Sequence, residues 1–178
     1  MDESPYSFDP VKAVEAIAYT TRKAGTDLYE TLKLIYLADK LHLQKYGRFM
    51  FGDWYCAMEY GPVGSNAYDA MKVARGKNQS ALAKHAAEVF KVDPVTNKIA
   101  LVRDPDTDEL SRSELRCIDE AVGKYGTFGF SGLKNLTHDA AYKATPLNGK
   151  ISMAAIASTF KDSAELIQHL SDRNPDRS

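Results

Sequence analysis

Cysteine is scarce in this chain. The 178 residues hold two, Cys56 and Cys117, without metal-type spacing, so neither a disulfide framework nor a zinc site is indicated. An excess of either charge is also missing. Lys and Arg number 23 against 24 Asp and Glu, for a formal net charge of -1. A domain that grips DNA, RNA or an anionic membrane normally carries a basic footprint, and this one does not. No apolar run approaches the length that spans a bilayer, and the start, Met1-Asp2-Glu3-Ser4-Pro5, is acidic and lacks an apolar stretch. Repeats, low-complexity tracts and internal linkers are absent. These gaps predict a soluble, cytoplasmic protein. What is present, a 44% apolar composition, suits one globular domain with a real core, expected over residues 9–171 with flexible ends at 1–8 and 172–178.

Local signals predict a mainly α fold around a central helix. Asp9 and Pro10 read as cap and first position of a helix that runs to about Ala24 and stops at Gly25, with Val14, Ile17 and Ala18 inward. Asp27 and Glu30 form a capping box for the central helix, about 27–46, which ends at Gly47. Leu28, Leu32, Ile35, Asp39, His42 and Tyr46 share one stripe, and Leu34, Leu37, Ala38 and Leu41 an adjacent one. Tyr29, Lys33, Lys40 and Gln44 are left pointing outward. Residues 49–58 read as extended, Gly61-Pro62 as a turn, and Ser65 as the cap of a helix reaching about Ala74 and closed by Gly76. Asn78 to Ala87 leans to helix. Two short β-type runs around Asp93-Pro94-Val95-Thr96-Asn97 predict a small β-hairpin at about 88–102.

Beyond a polar loop at Asp104-Pro105-Asp106, Ser111 and Glu114 make a capping box with Leu110 and Leu115 as its staple. Leu115, Ile118, Val122 and Tyr125 should be buried. Ser131, Asp139 and Ser152 are expected to cap short helices, and Asp162 with Glu165 to start the last one.

Candidate chemistry is thin. Asp39 and His42 lie three apart on a helix, so their side chains can meet as an acid–base pair or as a satisfied polar pair that fixes register or holds the Gly52-Asp53 turn. The structural reading is preferred, since perturbed polar pairs are often structural. His138-Asp139 with His42 offers metal-ligating types, but no His-x-x-x-His or Cys-x-x-Cys spacing supports a metal. Gly61-Pro62-Val63-Gly64-Ser65 precedes a helix yet lacks the lysine of a phosphate loop, and Pro62 removes a donor. Arg48, Trp54, Tyr55 and Tyr60 are residue types enriched at interface hot spots; the aromatics can equally cover the core.

One ordered series carries more. It runs Lys33-Leu34-Ile35-Tyr36-Leu37-Ala38-Asp39, His42-Leu43, Tyr46-Gly47-Arg48, Gly52-Asp53, Ala57-Met58, Gly61-Pro62-Val63, Ser65 and Tyr68-Asp69. Later come Leu110-Ser111, Lys124-Tyr125-Gly126 and Leu136-Thr137-His138. This order resembles the Panacea domain, the SocA-like antitoxin family of bacteria and their phages, over about Val11 to Ile156. Departures are Phe49-Met50 for the family's Pro-Ile, Gly64 for Ser or Pro, and Ala141-Tyr142 for Ala-Trp.

The resemblance implies an antitoxin that neutralises a toxin encoded by an adjacent gene, through direct protein binding and without catalytic residues, metal or cofactor. In one branch of the family the protein acts as an adaptor that delivers the toxin to the ClpXP protease. Arg48, Trp54, Tyr55, Tyr60 and Tyr68 are the expected partner-binding residues. Asp39, His42, Gly47, Gly52, Asp53, Gly61, Pro62, Ser65 and His138 are expected to be structural. The rival readings are an enzyme of hydrolase type using Asp39, His42 and His138, and a DNA-binding autoregulator, against which the near-neutral charge counts.

Overall fold

The computed structural model describes residues 7–74 and 81–173; Gly76, the first six residues and the tail 174–178 lie outside the described residues. Helix α1, Pro10–Ala24, opens where Asp9 accepts a hydrogen bond from the Lys12 amide at 3.0 Å. It closes at Gly25, in the left-handed conformation that glycine adopts without steric cost. Phe8, expected to be loose, packs edge-on against Phe51, and the Asp9 amide donates to the Phe51 carbonyl.

Helix α2, Leu28–Tyr46, carries the expected capping box: Asp27 accepts from the Glu30 amide at 2.9 Å and Glu30 accepts from the Asp27 amide at 3.3 Å. Every residue from Thr31 to Asp39 is buried, because neighbours cover the helix all round. Two expectations fail here. Lys33 is not outward but only 1% exposed, and Tyr46 is not inward but protrudes beside the His42 ring at the helix end.

The loop after α2 leads into β1, Tyr55–Met58, which pairs antiparallel with β2, Gly61–Gly64. The expected Gly61-Pro62 turn is therefore the start of a strand, and the turn is Glu59-Tyr60. β2 is an edge strand, where proline's missing N–H is tolerated. Helix α3, Ser65–Ala74, follows directly. Then come α4, Ala81–Val89, and the hairpin of β3, Phe90–Val92, with β4, Ile99–Leu101. The hairpin is shorter than expected because Glu88 and Val89 finish α4. Its turn is held by Asp93, which accepts from the Val95 and Thr96 amides.

Helix α5, Arg112–Tyr125, has the expected Ser111/Glu114 capping box. Its deepest face is Glu114, Cys117, Ile118 and Ala121; Leu115, Val122 and Tyr125 are only half-buried. Helix α6, Gly129–Thr137, starts two residues before Ser131 and has no side-chain cap bond. Helix α7, Ala140–Lys143, is capped by Asp139 and α8, Met153–Ala157, by Ser152. Helix α9, Ala164–Asp172, starts at Ser163 without a side-chain cap, while Asp162 takes a positive φ. An unforeseen strand, β5, Lys150–Ile151, joins the other side of β1, so the sheet order is β2-β1-β5.

Around α2 pack α1, α5, α6, α8 and β2. The fold is thus mainly helical with a small hairpin, as the residue pattern predicts, and it adds a small antiparallel sheet that the pattern did not show.

Candidate partner-binding surface

Two buried anchors on α2 set the loop between α2 and β1. Asp39 accepts from the Met50 amide at 2.7 Å and from the Tyr55 hydroxyl at 2.6 Å. His42 bonds through Nδ1 to the Arg48 carbonyl at 2.8 Å and through Nε2 to the Ser113 hydroxyl at 3.0 Å. The two side chains do not pair with each other; each holds a different part of the loop. Burial pushes the Asp39 carboxyl up to about 7, against the pull of its two donors. Burial likewise lowers the pKa of His42.

Arg48 is bound inward. Its guanidinium donates to the Phe49 and Met50 carbonyls at 3.1 Å each and to Glu114 at 3.0 Å. Glu114, fully buried, also accepts from Lys12 at 3.0 Å and from the Ser111 amide at 2.8 Å. Burial works to raise the Glu114 pKa, but the Ser111 amide, Lys12 and Arg48 outweigh it and hold it below the usual range.

Asp53 performs a cap that the spacing hid. Its carboxylate accepts from the Asn66 and Ala67 amides at 3.0 and 2.9 Å, from the Asn66 side chain and from the Trp54 amide. Asp53, not Ser65, therefore satisfies the orphan donors at the start of α3. Ser65 is already helical, and its amide donates to the Trp54 carbonyl at 2.9 Å.

The sequence-predicted partner residues separate into buried and displayed. Tyr55 is buried, its ring edge-on to Tyr36 and Phe49 and its hydroxyl on Asp39, so it belongs to the core rather than to a surface. Trp54 is half-buried with the Lys150 ammonium 5.4 Å from its ring centroid, and Tyr68 is half-buried with Lys72 at 4.3 Å. Tyr60, at the β1–β2 turn, is 46% exposed. Its ring sits edge-on to Phe130 of α6, with the Lys134 ammonium 5.4 Å away. Phe128 and Leu136 at the two ends of α6 are exposed as well. Exposed aromatics of this kind are enriched in interface cores, and a lysine such as Lys134 belongs to the polar rim.

Beneath Tyr60 and Phe130 lies Lys33, whose burial sequence reasoning missed. Its ammonium is 5.5 Å from the Phe130 ring centroid. Burial, aided by Lys134, pushes its pKa down to about 8. His138 is close by, stacked on Tyr142 at 4.2 Å, and Tyr142 donates to the Met58 carbonyl. Nine residues of helix separate Lys33 from His42, about 13 Å of axial rise, so the fold does not gather Asp39, His42 and His138 at one point. No group of three His, Cys, Asp or Glu side chains suited to a metal ion occurs among the described residues, and no described helix is long and apolar enough to cross a membrane.

Fold and surface define a helical domain whose main loop is tied down from behind while aromatic and cationic side chains are displayed. The family model described as "Antitoxin SocA-like, Panacea domain" matches residues 32–143, and the chain belongs to that family. No curated protein and no solved structure matches the chain.

Proposed function

We propose that this protein is an antitoxin, acting in the cytoplasm as one domain over residues 9–171, that neutralises a cognate toxin encoded by an adjacent gene through direct binding. The observation that carries the proposal is the exposed Tyr60, backed by Phe130 and Lys134, in a member of an antitoxin family. Tyr60 would be the anchor, with Trp54 and Tyr68 as flanking contacts. Arg48 contributes indirectly, by shaping the loop through Glu114, and Arg48→Ala would act on folding before binding.

The test is co-expression with the neighbouring gene product, followed by pull-down and size exclusion. Rescue of growth together with a stable complex is the expected result. Tyr60→Ala should weaken the complex at least tenfold while leaving the fold intact, as seen by circular dichroism. Rescue without a complex, with the toxin disappearing only when ClpXP is present, would replace blocking by the adaptor reading.

A further inference from the structure

Lys33 is a buried cation without a paired countercharge among the described residues. Its ammonium faces the Phe130 ring at 5.5 Å but makes no hydrogen bond or ion pair among the described residues, although the residue is 1% exposed. The acidic side chains around it are occupied. Asp27, which acts on Lys33 only at a distance, caps α2 through the Glu30 amide. Asp139 accepts from Tyr36 at 2.8 Å, from Lys40 at 2.7 Å and from the Tyr142 amide at 3.0 Å.

A second group beside it is also unmet. Nε2 of His138 is buried and has no hydrogen-bond partner, while burial lowers the ring's pKa against the pull of the Tyr60 backbone. Lys134, Lys33 and Lys143 all act on this ring as positive neighbours. The groups converge at Gly61. A methyl group on its α carbon would sit 3.2 Å from the Lys33 ammonium, 3.2 Å from the Thr137 hydroxyl and 3.5 Å from the His138 ring. Thr137 spends its proton on the Leu133 carbonyl, which leaves Lys33 and, in the tautomer protonated at Nε2, His138 as donors. Tyr60 and Phe130 stand above, and Lys134 is on the rim.

We propose that Lys33, His138 and Lys134 form a receptor for a single carboxylate, carried on an acidic side chain of the protein partner and entering beside the Tyr60–Phe130 pair. The partner's part in this rests on the binding function proposed above. A carboxylate suits the pair better than a phosphate, because one ammonium and one imidazole offer donors for only one or two oxygens. An unpaired ammonium in a low-dielectric site costs stability, and a partner's anion would relieve that cost only in the complex.

The full chain is titrated with sodium acetate and, separately, with inorganic phosphate near neutral pH, following the Lys33 ε-carbon and His138 ring resonances. The expected result is a saturable shift with acetate that Lys33→Met abolishes; no saturable shift overturns the pocket. Tighter binding of phosphate than of acetate overturns the carboxylate assignment. Lys33→Met should melt no lower than the parent and bind the neighbouring gene product at least tenfold more weakly. A lower melting temperature with unchanged affinity would mark a structural lysine and overturn the proposal. Lys134→Ala, on the half-exposed rim, should weaken the complex several-fold without affecting the fold; unchanged affinity in both variants overturns the docking of a partner carboxylate. If the parent protein binds no neighbouring product, the proposed function fails, while the acetate titration still decides the pocket.

Discussion

Gly64 is tied to its place by a carboxylate. A β-carbon there would lie 2.6 Å from Oδ2 of Asp53, the oxygen that caps α3 through the Ala67 amide. Asp53 has four donors around it and little freedom to retreat. Gly64→Ala should therefore cost about 1–3 kcal/mol, the range for an overpacked interior, read as a lower urea midpoint at unchanged slope; an unshifted midpoint would mean the cap yields easily. Lys33 makes a second prediction at this scale. Its ordinary pKa of 10.5 falls to about 8 on folding. Between those values the unfolded chain binds a proton that the folded chain does not, so stability rises with pH across that window and the full penalty applies below about 8. Two and a half pKa units correspond to about 3 kcal/mol. Wild type should gain on Lys33→Met in urea unfolding as pH is raised from 8 to 10, and parallel curves would refute the assignment.

Among the elements, α5 shows how a local cap becomes a long-range joint. Glu114 belongs to the α5 capping box, yet it also receives Lys12 of α1 and Arg48 of the loop after α2. Removing it would leave two cations beside the buried position. Glu114→Ala should cost about 3–5 kcal/mol, the range for breaking a buried pair. Because its folded pKa is depressed below 4.5, its contribution is present above that value and lost as pH falls through the folded pKa. Wild type and Glu114→Ala should thus converge in stability under acid, which a pH series of thermal melts would check.

The caps at Asp9, Asp27, Ser111, Asp139 and Ser152 were legible in the sequence, since each acts on an amide within three residues. Asp53 was not, because its acceptor role reaches from residue 53 to residues 66 and 67. The burial of Lys33 was hidden for a similar reason: α6 and β2, distant in sequence, cover what periodicity marks as an outer face. The surface position of Tyr60 and the burial of Tyr55 depend on which residues form the turn. Reading Gly61-Pro62 as that turn left the strand β2 unseen.

For the molecule as a whole, the core extends beyond the family match. The match ends at residue 143, but Ile151, Ile156 and Ala157 are fully or almost fully buried, and β5 pairs with β1 while α8 packs on α2. A chain cut after Lys143 would expose the β1 edge and the α2 surface beneath α8. It should show no cooperative thermal transition, whereas the chain ending at Arg173 should retain one; a cooperative melt for the shorter chain would show that the later segments are dispensable.

The same pairing sets a clock on synthesis. Tyr55 finds its partner Ile151 only after 96 further residues have been added. At typical translation rates of 5–20 residues per second, that is roughly 5–20 s. During this interval the nascent chain has its central helix and two of the three strands of the sheet but no closing strand, so the fold can close only once Lys150 and Ile151 have been added.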